Sequence, residues 1–272
     1  MRIQTLGLLL TVFLAGARFA GADADDITTA PELVTDRPDQ TESSVTIPPG
    51  FVQWESGWTY TEEDEDDVET ETHEFPGALL RVGVIERLEL RLGWDGYVWE
   101  ETCEPDEEGV EQSDEVEGGA DASVGFKLFL WEESGLLPET ALIGSVTVPV
   151  GREGISSERW DPAFRFCHAH TLSEVVSIGW NWGLAWESGL DEEEEDRHTL
   201  AVFQYTASVA ISLGDRWGMF LEAFGDVPLA GDGGPRHSLD GGFTFLVRDN
   251  LQLDAAGGFG LSEDADDWFV GV

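Results

Sequence analysis

Basic residues are scarce in this chain: 14 Lys and Arg stand against 56 Asp and Glu, a formal net charge of -42. That charge repels a phosphate backbone, so DNA and RNA are excluded as partners. Cysteine is almost absent. Cys103 falls in an acidic stretch and Cys167 in a predicted strand, so no disulfide framework organises the fold and both thiols are expected to be free. Beyond the N-terminus no apolar run approaches the roughly 20 residues that a transmembrane helix needs. Very acidic chains are often disordered, but disorder requires few aromatics, and 11 Trp, 15 Phe and 32 Gly are present. Charge and apolar bulk must therefore be segregated along the chain.

The N-terminus reads as a secretory signal peptide over residues 1–24: Arg2, an apolar run from Leu6 to Leu14, and small residues ending near Ala22 or Ala24. Residues 25–50 are polar and rich in proline and hydroxyl side chains, and are expected to form a periplasmic lead-in without regular structure. From Phe51 to the end the pattern has period two. Val52, Trp54, Ser56, Trp58 and Tyr60 alternate with Gln53, Glu55, Gly57, Thr59 and Thr61. Leu88, Leu90, Leu92, Trp94 and Val98 oppose Glu89, Arg91, Gly93, Asp95 and Tyr97, and Val176 to Trp186 alternates throughout.

About twelve such strands are predicted over residues 51–272. Short turns (Ile85 to Arg87, Glu132 to Glu139, Thr171 to Glu174, Gly214 to Arg216, Arg248 to Asn250) alternate with longer polar loops. Two unequal rims and an even strand count predict an all-β, antiparallel transmembrane outer-membrane β-barrel, with outer-membrane lipids around it and both termini in the periplasm. A soluble β-sandwich is the competing fold, but its solvent face should carry abundant charge with lysines at the edges. Here the minor face is mostly Gly, Ser and Thr with sparse charges of both signs. The tryptophans, Trp54, Trp94, Trp180, Trp182 and Trp217 among them, fall mostly on the apolar face, as an aromatic girdle requires.

Acid concentrates in four places expected to be loops on one rim: from Glu62 to Glu71, Glu100 to Glu117, Asp191 to Asp196, and Glu263 to Asp267. They form a solvated, self-repelling surface, with divalent-cation binding as the sharper alternative. No run matches a known calcium-loop spacing, so no metal ligand is named. The charged residues predicted to face the lumen are Glu55, Arg81, Glu89, Arg91, Asp95, Asp121, Lys127, Arg165, Glu222, Asp240 and Asp254. They either brace and plug the barrel or line a polar track for a small-molecule solute. No cofactor motif is present. His168 and His170 alone make a weak metal pair, and no nucleophile elbow occurs in a suitable context, so no enzyme is expected.

The stretch Thr35 to Tyr60 (TDRPDQTESSVTIPPGFVQWESGWTY), DPAFRF from Asp161, VSIGWNWGLAW and the closing DDWFVGV resemble a bacterial family of meta-pathway phenol-degradation proteins, often called transporters. The resemblance implies an outer-membrane barrel associated with uptake of aromatic or other hydrophobic compounds, and carries over no catalytic or binding residues. Such barrels usually finish on an aromatic residue, whereas this chain stops at Gly271 and Val272, so the last strand is expected to be short and its closure against the first weak. The reading is a bacterial outer-membrane channel for passive uptake of small solutes. The alternative is a structural or surface-interaction barrel with a plugged lumen and cation-binding acidic loops.

Overall fold

The computed structural model describes residues 12–16, 31–65, 68–105, 111–191, 196–231 and 233–272. The regular elements among them are all strands: β1 (Val12–Gly16), β2 (Phe51–Glu65), β3 (Val68–Ile85), β4 (Leu88–Trp94), β5 (Tyr97–Pro105), β6 (Glu111–Gly119), β7 (Ala122–Trp131), β8 (Glu139–Val148), β9 (Pro162–Thr171), β10 (Val176–Asp191), β11 (Asp196–Ser212), β12 (Trp217–Pro228), β13 (Arg236–Arg248), β14 (Leu251–Gly260) and β15 (Trp268–Gly271). β3 pairs with β4 over Ala78–Ile85 and with β5 over Glu69–Phe75, so β4 and β5 are two halves of one wall strand. β6 and β7 are likewise halves of the next. The wall is a closed antiparallel barrel of twelve strands.

Closure, expected to be weak, is made by two short strands. β15 pairs with β14 on one side and with β2 on the other, from Trp268↔Glu62 to Gly271↔Thr59. Trp58 and Val272 exchange backbone hydrogen bonds of 2.9 and 3.0 Å at its end. Nearer the short-turn rim, β1 fills the same seam, pairing with β2 from Phe13↔Trp54 to Gly16↔Phe51 and with β14 at Val12↔Gln252. Together β15 and β1 join β2 to β14, so the seam satisfies its backbone within the wall. The rest of the predicted signal peptide lies outside the described residues.

Two expectations are corrected. The acidic runs are not mainly loops: Glu62–Glu65 and Glu69–Glu71 belong to β2 and β3, and Glu100–Glu104 and Glu111–Glu117 to β5 and β6, with Cys103 on β5. Cross-strand backbone pairing holds these residues extended despite their low strand propensity. Asp66, Asp67, residues 106–110 and residues 192–195 of the acidic runs lie outside the described residues. The inward phase also shifts along the wall. β3 carries an extra residue around Pro76, because Gly57 pairs with Gly77 but Thr59 with Glu74, so Glu74 and Thr72 join the inner face. A second shift at Asp95 and Gly96, where φ is 93°, turns Val98 inward and Tyr97 and Trp99 outward, the reverse of simple alternation.

The wall is polar within and apolar without. Leu90, Leu92, Val124, Phe126, Val209, Leu221 and Phe243 face outward and are 39–64% exposed, whereas Gln53, Glu55, Arg81, Glu89 and Lys127 face inward at 0%. Water cannot stabilise such an inversion, and a soluble sandwich is ruled out, while a lipid-facing barrel requires it. Replacing Leu221, 64% exposed, by Arg should therefore cost about 2–4 kcal/mol of unfolding free energy in lipid vesicles. Chemical denaturation of the reconstituted barrel measures this, and a change below about 0.5 kcal/mol, usual for a solvated surface site, contradicts a lipid-facing wall.

Candidate functional site

The polar segment before the first long strand is not a periplasmic lead-in over its described part. Residues 34–47 run inside the barrel, bonded to both sides of the wall. The inner face supplies a strong reason. Arg81 and Arg91 are direct cross-strand partners on β3 and β4, and Glu89 is paired with Lys127 on β7. Two like charges facing each other across a ladder repel. Asp36 resolves the conflict: its carboxylate lies 3.1 Å from Arg81, 2.5 Å from Arg91 and 2.7 Å from Lys127. Glu42 adds a contact of 2.7 Å to Arg91, and Glu55 and Glu89 lie 3.2 and 2.9 Å from Arg81.

Hydrogen bonds fix the rest of the segment. Arg81 donates to the carbonyls of Val34 and Val45, the Asp36 amide donates to Glu55, and the Ile47 amide donates to Glu89. On the opposite wall the Gln40 amide and the Thr41 hydroxyl donate to Glu222, Asn181 bonds the backbone of Glu42 in both directions, and Arg165 donates to the Gln40 carbonyl. Small inward residues make the room. A Cβ at Gly83 would stand 2.0 Å from the Pro48 carbonyl oxygen, and one at Gly57 would strike the Arg37 guanidinium. The inner face, mostly Gly, Ser and Thr, is in part the bed for this segment.

Of the predicted lumen residues, Glu55, Arg81, Glu89, Arg91, Lys127, Arg165 and Glu222 touch the segment directly. Asp240 is buried beside Glu222, with which it shares a register position. Asp254 is half-buried on the same face as Gln252, which donates to Thr35. Asp95 and Asp121 stand on the far side of the segment. Asp121 binds the connection between β8 and β9, accepting from the Gly151 and Ser157 amides at 2.9 and 2.8 Å and from the Ser156 and Ser157 hydroxyls. Cys167 is buried on the inner face of β9. His168 faces outward with one ring nitrogen bonded to Thr140 and the other to Trp182, which leaves neither for a metal.

Above the segment lies a vestibule. A cavity of about 670 Å³ is lined by Glu74, Asp95, Glu100, Asp121, Asp161 and Glu187 with no Lys, Arg or His among its lining residues. It shares Glu74 and Asp95 with a second cavity of about 310 Å³, whose floor is the segment itself at Asp36, Arg37, Asp39 and Glu42. A third, of about 210 Å³, shares Gln40, Thr59 and Arg165 with the second. The vestibule is thus continuous from the acidic mouth to the segment. Glu74, missed by strict alternation, is where the first two cavities meet; Pro76 within a strand pattern was the signal for its shift.

Burial alone would raise the Asp36 carboxyl, but Arg81, Lys127 and Arg91 outweigh it and hold the group well below the usual carboxylate range. A group depressed on folding contributes stability above its unfolded value, about 3.9, and loses it as pH falls further. The segment should accordingly stay seated at neutral pH and begin to loosen below about pH 4. Proteolysis within residues 34–47 reads this, and unchanged protection down to about pH 2 contradicts it. Asp36→Ala removes the one carboxylate that touches all three buried cations and should cost roughly 3–5 kcal/mol of seating, exposing the segment to protease at neutral pH. Full protection of that variant would show that the ion cluster does not hold the segment.

Among curated proteins no relative matches this chain. The COG4313 outer membrane channel from Pseudomonas putida F1 is similar in structure, with a TM-score of 0.60 at 12% identity over 86% of this chain and 97% of that one. The NanC porin gives a TM-score of 0.48 at 6% identity over 79% and 97% of the two chains. The first likeness bears on the fold, which is that of an outer-membrane β-barrel. Residues 35–272 match the family model described as the MetA-pathway of phenol degradation. That match begins at the segment inside the lumen and runs to the last residue, and the chain belongs to this family.

Proposed function

We propose that this protein is a passive channel in the outer membrane of a Gram-negative-type bacterium, exported behind a signal peptide over residues 1–24 whose cleavage removes β1 and leaves β15 to close the seam, and not an enzyme. Its solutes are small and, in keeping with the family's description, include aromatic or hydrophobic compounds. The observation that carries this reading is the continuous vestibule, which ends on a segment held chiefly by ion pairs and hydrogen bonds. Contacts of that kind, unlike a packed apolar core, can be exchanged for water when the lumen floods, and the buried Asp36 cluster sets the cost of moving the segment aside. Solute flow would need no nucleotide. The charged residues of the inner wall serve first to seat the segment, and Glu74, Asp95 and Asp121 set the charge of the entry.

A second reading has its own support. The carboxylates of Glu62, Glu69 and Glu71, on the hairpin of β2 and β3, all approach within 4.8 Å of one another. A barrel closed by its segment and binding divalent cations at its rim would serve as a structural or surface protein. Conductance in planar bilayers separates the two. The channel reading expects openings that favour cations over anions, because the entry is acidic, and a several-fold larger conductance when residues 34–47 are deleted. Aromatic solutes added as blockers should reduce the current. A silent bilayer from both forms, with insertion verified by the gel shift on boiling, favours the structural reading. Anion preference contradicts the role given to the vestibule carboxylates.

A further inference from the structure

The far anchor of the lumen segment holds an imbalance that the Asp36 side does not. Ser208, Glu222 and Asp240 are successive register partners across β11, β12 and β13 on the inner face, and are 5%, 1% and 4% exposed. Glu222 accepts from the Gln40 amide and the Thr41 hydroxyl, but among the described residues neither it nor Asp240 forms an ion pair with Lys, Arg or His. The two carboxyl groups bond each other side chain to side chain, with no cation among the described residues beside them. The hydroxyl oxygen of Ser208 and Oδ1 of Asp240 are both buried with no hydrogen-bond partner. Buried oxygens are seldom left so, and an unbonded acceptor beside uncompensated carboxylates is where a cation would be held.

We propose that Glu222, Asp240 and Ser208 form a site for a hard cation of the Ca²⁺ class. The donors are all oxygens, which suits Ca²⁺ rather than a thiolate- or imidazole-seeking metal. The 210 Å³ cavity lies beside this row, with Gln40 and Thr206 in its wall. The bound ion fixes Glu222, to which Gln40 and Thr41 donate, and so clasps the segment on β12 and β13 opposite the Asp36 cluster. The inference does not depend on whether solute passes the barrel.

The test uses the full-length protein in detergent, stripped with EDTA, with CaCl₂ as the only added metal. Protease cleavage within residues 34–47 is timed for the wild type and for Asp240→Asn, which keeps the size and one acceptor but removes a charge. Because the acidic rim is intact in both, only the buried site distinguishes them. At Ca²⁺ about 100 times its Kd, cleavage of the wild type should slow by up to about a hundredfold, while the variant keeps its calcium-free rate. Crystals grown with CaCl₂ should show an ion against Asp240 Oδ1 and Glu222. Ser208→Ala, which leaves the charge untouched, should show the same loss in milder form, and serves if Asp240→Asn fails to fold. Equal slowing in wild type and variants, no slowing in any, or crystals in which Asp240 and Glu222 share a proton with no ion between them, would each overturn the site.

Discussion

The inner wall of this barrel depends on one carboxylate. Arg81 and Arg91 face each other across a ladder with Lys127 close by, and all three are shielded from water. Glu55 and Glu89 on the wall leave that corner one positive charge in excess, and of the segment's two acids there, Glu42 and Asp36, only Asp36 reaches all three cations at once. A buried ion cluster adds little to stability compared with an apolar core of the same volume, but it punishes any missing member heavily. Its effect here is positional: the one acid that completes the cluster sits on a chain segment, so completing it draws that segment into the lumen.

Much else follows from that placement. With Asp36 held on β3, β4 and β7, the segment crosses to Glu222 and Thr206 and returns to Glu89 at Ile47. The crossing closes the half of the barrel near the short turns and leaves the other half as an acidic vestibule. The two halves of the lumen thus differ in kind. One is filled by the segment, with ions paired around Asp36 and carboxyl groups alone at Glu222 and Asp240. The other is wet and almost wholly anionic, with its β8–β9 connection drawn in by Asp121 and with Asp161 bonded to Ser188 of β10.

The barrel was legible because period two survives along most of the wall: Val176 to Trp186 alternates without a break, and the short turns fell between the strands where expected. The inward residues Glu55, Arg81, Glu89, Arg91 and Lys127 were legible for the same reason. Strict alternation broke at Pro76 and at Asp95–Gly96, where an extra residue or a positive φ at Gly96 rotates the strand, so Val98 was placed on the wrong face and Glu74 was not named among the inward residues. The lumen segment was not legible from pattern at all, since a proline-rich, non-periodic stretch looks alike inside a barrel or outside it. A trace of it lay in the wall instead: two arginines in facing register imply an anion supplied from elsewhere. The acidic runs misled because composition alone favours loops, while long hairpins keep them extended.

The central claim is that residues 34–47 occupy the lumen of the assembled barrel, and a cross-link tests it most directly. The hydroxyls of Thr41 and Thr206 are 2.6 Å apart. With Cys103 and Cys167 replaced by serine or alanine, a Thr41→Cys, Thr206→Cys double variant should form an intramolecular disulfide in folded barrels in cell envelopes, seen as a mobility change that reductant reverses. Thiols that stay free under oxidant in barrels verified as folded would contradict the account.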